Sequence, residues 1–342
     1  MKGFLYSIIC FFLILSCHFT PKSSKYVEKR NSEWIKGITL VAPPDEFSTD
    51  PMHPLKAINS EWVAVVPYAF SPQHSTKIYY GEGKQWWGET KEGIIESIEL
   101  AHQSGMKVLL KPHLWLRGTW TGDMTFETSE EWSQWEREYR HYILEMANLA
   151  DSMNVEMFCI GNEFKTFVVT RAQFWKELID AVRSSYDGSL TYGSNWDEFE
   201  MVPFWEYLDF IGINAYFPLV DAKRPEFSDL LKAWEPVKER ISRVQEKVDK
   251  PVVFTEYGYL STEFNTHNTW DREKMLHELE PSEEAQSVAI DALFFTFYQE
   301  DWWYGGFLWK WYPFEYRIRN REKDYTPQGK VAESTLNNWF LK

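Results

Sequence analysis

The stretch Val253-Phe254-Thr255-Glu256-Tyr257-Gly258-Tyr259 is a short apolar run that closes on a carboxylate among aromatic residues. An earlier run, Met157-Phe158-Cys159-Ile160-Gly161-Asn162-Glu163, closes in the same way. Two strands that each finish on a glutamate point to a paired-carboxylate site at one end of a barrel. The rest of the chain is consistent with that architecture. Short apolar runs at 37–41, 62–68, 107–114, 155–160, 190–193 and 210–214, a run opened by Pro251, and a last run at 306–309 make eight strand candidates. Between them lie amphipathic stretches with helical spacing at 92–104, 129–153, 171–184, 230–248, 281–298 and 329–340. Eight such units in one chain fit an α/β fold of the (β/α)8 type, a single TIM barrel, better than an open doubly wound sheet. No glycine-rich dinucleotide fingerprint, phosphate loop or internal repeat interrupts the pattern.

Bulk properties narrow the function. The 342 residues carry a formal charge of −15, which argues against nucleic acid and polyanionic substrates as partners. Aromatic residues make up 18% of the chain and include 18 Trp. Trp is seldom fully buried, and a partly exposed indole suits the flat, weakly apolar face of a sugar ring.

The N-terminus reads as an export signal. Lys2 precedes a nearly unbroken apolar segment from Phe4 to Leu15 that is too short for a membrane span. Leu13-Ile14-Leu15-Ser16-Cys17 resembles a bacterial lipoprotein signal, which makes Cys17 the expected lipidated residue and the membrane a partner through that lipid. Residues 1–17 are then the signal peptide, 18–33 a polar tether, and 34–342 one folded domain on the outer side of a bacterial membrane. Cys159 is the remaining cysteine of that domain, so neither a disulfide nor a cysteine-based zinc site is expected. No metal or organic cofactor has a ligand motif here, and the oligomeric state is not encoded in any visible pattern.

In barrels of this kind the reactive groups sit at the C-terminal ends of the strands. Those ends carry Tyr68, His113, Asn162, Glu163, Asn195, Trp196, Asn214, Tyr216, Glu256, Trp309 and Trp311. The fourth and seventh strands lie roughly opposite each other, so Glu163 and Glu256 can flank one bond. Glycoside hydrolysis needs such a pair, one carboxyl to protonate the leaving oxygen and one to attack or to activate water. Spacing alone does not assign the two roles.

Gly161-Asn162-Glu163 and Thr255-Glu256-Tyr257-Gly258 resemble the signatures of clan A retaining glycoside hydrolases. Ala101-His102 through Val108, Leu110-Lys111-Pro112-His113, Gly306 through Trp311 and Tyr325 through Lys330 are similar to glycoside hydrolase family 113, whose characterised members are chiefly β-mannanases. That resemblance implies Glu163 as acid/base, Glu256 as nucleophile and Asn162 on the sugar 2-hydroxyl. It further implies Tyr216 holding the nucleophile and Trp309 or Trp311 flooring the reacting sugar. It also implies a poly- or oligosaccharide substrate, with β-1,4-mannan first. His113, Asn195 and Trp196 are further candidates for substrate contact. Trp86, Trp87, Trp115 and Trp120 are candidate outer subsites. Lys111 is expected to be a paired lysine inside the barrel, Asp197, Glu198 and Glu263 solvated acidic residues, and His102 remote from the cleft. A clan A hydrolase of glucan or xylan, exo-acting release of single mannoses, and a non-catalytic glycan-binding lipoprotein stay open as alternatives.

Overall fold

A computed structural model describes residues 34–81, 85–314 and 319–342. Cys17, the signal and the tether lie outside the described residues. The strands are β1 (Ile35–Leu40), β2 (Trp62–Val65), β3 (Tyr68–Pro72), β4 (Lys107–Leu110), β5 (His113–Arg117), β6 (Met157–Asn162), β7 (Ser189–Asn195), β8 (Ile211–Asn214), β9 (Val252–Tyr257) and β10 (Trp303–Trp311). Eight of them close into a parallel barrel in the order β1-β10-β9-β8-β7-β6-β4-β2. The helices are α1 (His53–Ala57), α2 (Lys91–Gln103), α3 (Ser129–Ser152), α4 (Lys165–Thr170), α5 (Ala172–Arg183), α6 (Phe227–Val248), α7 (Thr269–Lys274), α8 (Glu283–Phe297) and α9 (Val331–Phe340). The fold is the expected (β/α)8 barrel, and β6 and β9 are its fourth and seventh strands.

Local chemistry sets the helix starts. Thr90 accepts the Gly93 N–H at the head of α2, and Ser282 accepts the Ala285 N–H at the head of α8. At α3 the cap is Thr128, because Glu131 reaches back to the Thr128 N–H and closes a capping box.

Two expected strands, 62–68 and 107–114, each divide. β2 and β4 stay in the barrel, while β3 and β5 continue beyond it as a separate two-stranded sheet that pairs Tyr68 with His113. This small sheet builds one wall over the barrel mouth.

The barrel has two apolar layers. Ile35, Trp62, Ala64, Leu109, Met157, Cys159, Val253 and Phe307 form the interior cluster, in which Cys159 is a small core residue. The alternate residues of the same strands, among them Ile38, Val63, Val108, Phe158 and Phe254, pack outward under the helices.

At three strand ends the alternation breaks. The register slips by one residue between Cys159 and Asn162 of β6, between Ile213 and Asn214 of β8 against β9, and between Ile38 and Leu40 of β1 against β10. Such bulges turn side chains that strict alternation would send elsewhere.

Candidate active site

The mouth of the barrel holds a cleft of ≈ 610 Å³ lined by Tyr68, His113, Trp120, Asn162, Glu163, Asn195, Trp196, Tyr216, Glu256, Trp270, Trp309 and Tyr325 among others. Its volume lies in the range of small-molecule sites. Both glutamates of the sequence pattern face this cleft.

Glu256 is buried at the end of β9, where the bulge pairs it with Asn214 and takes it out of the interior alternation that Val253 and Thr255 follow. The Tyr216 hydroxyl donates to its Oε2 at 2.9 Å, and the Lys111 ammonium donates to its Oε1. Lys111 is itself fully buried, so the ion pair satisfies two charges that would be costly apart. The Nε2 of His113 lies 3.5 Å from the same Oε1, has no hydrogen bond among the described residues, and its ring stacks parallel to Trp309 at 6.2 Å. Burial, reinforced by the Lys111 charge, pushes the His113 imidazole well below its ordinary value and keeps it neutral.

Glu163 follows the last residue of β6 with φ = 58°, a left-handed backbone that costs a non-glycine residue roughly 1–3 kcal/mol. Its N–H donates to the Gly193 carbonyl at 2.8 Å, which holds the turn. Asn214 Nδ2 donates to Glu163 Oε1 at 2.8 Å, and Trp120 Nε1 donates to Oε2 at 2.9 Å. Burial first, and the Glu256 charge second, raise the Glu163 carboxyl above its ordinary value; the two donors and Lys111 pull against that rise. A carboxyl held in this way is suited to donate a proton.

Asn214 joins the two halves. Its amide nitrogen donates to Glu163 and to Asn162 Oδ1 at 3.0 Å, while its oxygen accepts from Lys111 at 3.1 Å and from Thr255 at 2.8 Å. All four of its hydrogen-bonding positions are therefore used. Gly193 makes room for this network, since a Cβ there would lie 2.6 Å from Asn162 Oδ1 and 3.2 Å from Lys111 Cε.

Several sequence expectations are corrected by placement. Trp309 lines the cleft, but Trp311 is buried in the outer core, because the β1–β10 register slip breaks the period-two alternation that would put both on one side. Glu198 is not solvated: it is fully buried against the Tyr192 hydroxyl and the Asn195 N–H, and burial pushes its carboxyl up to about 8. Glu263 is likewise buried, paired with Lys223 and Arg224. Asp197 lies in the cleft wall and pairs with Lys165. Trp86 and Trp115 are about half exposed and lie outside the cleft, and the Trp87 indole is tied to Glu96.

Other expectations hold in position. Lys111 is a paired interior lysine, although its partner is the candidate nucleophile itself. Trp196 lines the cleft and stacks on Trp270 at 5.6 Å, Asn195 lines it beside Asp197, and His102 sits on α2 beside Glu156. Sequence reasoning gave no role to Asn214, which it placed at a strand end, or to Tyr325, and did not name Trp270. Asn214 carried a signal, being the last residue of the sixth strand, whereas Trp270, on the short helix α7, and Tyr325, between β10 and α9, are brought to the rim by packing alone. Among the described residues no group of three or more His, Cys, Asp or Glu side chains is arranged to hold a metal ion.

Comparison with known proteins follows the same direction. The model of Glycoside Hydrolase Family 113 matches residues 44–330. A family 113 β-mannanase from Alicyclobacillus acidocaldarius, solved in complex with ManMIm, is 29% identical with a TM-score of 0.78, over 90% of this chain and 97% of that one. A second complex, of a family 113 β-1,4-mannanase, is 27% identical with a TM-score of 0.76, over 91% and 99%. A β-glucuronidase from Ruminococcus gnavus shares the barrel fold alone, at 16% identity and a TM-score of 0.62. No curated protein matches the chain in sequence.

Proposed function

The chain belongs to glycoside hydrolase family 113, and from that membership we propose that this glycoside hydrolase cleaves β-1,4-mannosidic bonds in mannan or manno-oligosaccharides with retention of configuration. The observation that carries the proposal is the unequal setting of two carboxyls on one cleft. Glu256 is held by an ammonium and a phenol, whereas Glu163 is raised by burial and by its neighbour's charge. The β-mannanases of the same family, at 27–29% identity over nine-tenths of the chain, support the substrate class.

In this reading a Glu256 oxygen attacks the anomeric carbon as the glycosidic C–O bond breaks, and the Glu163 proton passes to the departing oxygen. The product of the first step is a glycosyl ester on Glu256. Glu163, now a carboxylate, takes a proton from water whose oxygen attacks the same carbon, and the ester C–O bond breaks to free Glu256. Two displacements at one carbon return the starting configuration. Tyr216 and Lys111 orient the attacking carboxylate, Asn162 meets the sugar 2-hydroxyl, and Trp309 floors the ring.

The test is the anomeric form of the first product from a defined manno-oligosaccharide, followed by proton NMR, with Glu163→Gln and Glu256→Gln in parallel. The β-anomer first, and turnover lost in both variants, is the expected result. An α-anomer first would replace retention by inversion, and preferential cleavage of glucan or xylan would replace the substrate.

We also propose export and lipid attachment at Cys17, a reading supported by the sequence of the signal. Labelling with a radioactive fatty acid is expected to mark the wild-type chain and spare Cys17→Ala; equal labelling of both would overturn it.

A further inference from the structure

The proposed reaction makes no use of Glu198. It is fully buried and does not line the cleft. Its Oε2 accepts the Asn195 N–H at 3.0 Å, and its Oε1 accepts the Tyr192 hydroxyl at 2.5 Å. That hydroxyl in turn accepts the N–H of Phe164 at 2.6 Å. Phe164 is the residue after Glu163, buried at the head of α4, where a backbone N–H has no partner within the helix. The N–H of Glu163 itself is bound to Gly193 on the same strand, β7. Both peptide N–H groups that bracket the left-handed Glu163 are therefore anchored to β7, one through the backbone and one through this phenol. The phenol has little freedom, because the Tyr192 ring packs against Trp175, Phe204 and Trp205.

We propose that Glu198, acting through the Tyr192 hydroxyl, is a positioning residue that fixes the peptide after Glu163 and so the direction in which the Glu163 carboxyl enters the cleft. The proposal rests on the reading of Glu163 as the acid/base. Its physical basis is the cost of the alternatives. A left-handed glutamate relaxes unless its flanking peptides are held, and a buried N–H without an acceptor is not tolerated. The buried carboxyl, which burial raises to about 8, is the far end of the chain that holds the phenol in place. Asn195 shares the same anchor, so one buried group braces cleft residues from two adjacent strands.

The experiment uses the full chain with Tyr192→Phe, which keeps the packed ring, and Glu198→Gln, which keeps the volume. Glu163→Gln is measured beside them. Each protein is assayed for kcat/KM on a β-1,4-linked manno-oligosaccharide, whose leaving oxygen needs a proton, and on 2,4-dinitrophenyl β-mannoside, whose leaving group departs without one. Misplacing the acid should lower kcat/KM on the oligosaccharide by about 10–100-fold in Tyr192→Phe and in the same direction in Glu198→Gln. The value on the dinitrophenyl glycoside should stay near wild type. An equal fall on both substrates would reveal a merely structural role, and no fall on either would remove the role altogether; both overturn the proposal. If Glu163→Gln itself shows no dependence on the leaving group, the acid/base reading fails first. If it does and the two positioning variants do not, only the positioning proposal fails.

Discussion

Removing the Trp120 indole N–H gives a direct test of how Glu163 is tuned. That N–H donates to Glu163 Oε2 at 2.9 Å and so favours the carboxylate over the protonated acid. Trp120→Phe deletes the donor and keeps an aromatic side chain in the cleft wall. A hydrogen bond to a charged group contributes roughly 1.5–3 kcal/mol, and one pKa unit is about 1.4 kcal/mol. Complete loss would then raise the Glu163 carboxyl by about 1–2 units. Glu163 is only half-buried, so water replaces part of the bond, and a rise of about half to one unit is the expected size. The sign follows from the role. In the proposed mechanism the first displacement needs protonated Glu163, so kcat/KM falls as pH rises through its pKa, and raising that pKa carries the alkaline limb to higher pH. The assay is the pH profile of kcat/KM on a manno-oligosaccharide. Lost sugar contact can lower its height, but only the Glu163 titration moves its position. An alkaline limb that stays in place, or moves to lower pH, would refute the assignment of this bond as a brake on the acid.

Lys111→Met should strip Glu256 of its buried counter-charge, at a cost of about 3–5 kcal/mol in stability, visible as a lowered Tm, with turnover down about 100-fold through a misplaced nucleophile; an unchanged Tm would contradict the pairing. Trp309→Ala and Trp311→Ala should separate cleanly. The first costs about 1 kcal/mol of sugar stacking, roughly fivefold in kcat/KM, with little change in Tm; the second empties a core site at about 3–5 kcal/mol and is read in thermal melts. Identical profiles for the two would mean that they share a face after all. Glu198 carries a pH signature in stability. Its folded carboxyl stands near 8, above the ordinary carboxyl range, so the folded chain holds a proton that the unfolded chain releases. Its contribution is complete below the ordinary carboxyl pKa and is lost as pH rises to about 8. Glu198→Gln should therefore flatten the fall in Tm over that window, and parallel curves would exclude the titration.

Much of the architecture was legible in the residues because it is written in local pattern. Apolar runs such as 157–160 and 252–254 must be buried on both faces, the intervening stretches repeat at helical spacing, and this combination closes as a (β/α)8 barrel. The strand-end rule then brought Glu163 and Glu256 to one rim without any knowledge of their contacts. Burial of the acidic residues was not legible. Glu198 and Glu263 look like solvated loop residues in one dimension, and only the packing of Tyr192, Lys223 and Arg224 around them makes a buried carboxyl affordable.

What the sequence by itself determined is therefore the barrel, its rim and the pair of carboxylates on it. Only the tertiary structure decided where each rim side chain points. Alternation along a strand is a property of that strand, but a bulge belongs to the pairing between two. The slips beside β6, β9 and β10 bring Glu256 into the cleft with Asn162 and Trp309 and leave Trp311 in the core. The same closure brings Lys111 against Glu256 and Asn214 between the two glutamates, contacts between strands far apart in the chain, which no local pattern encodes.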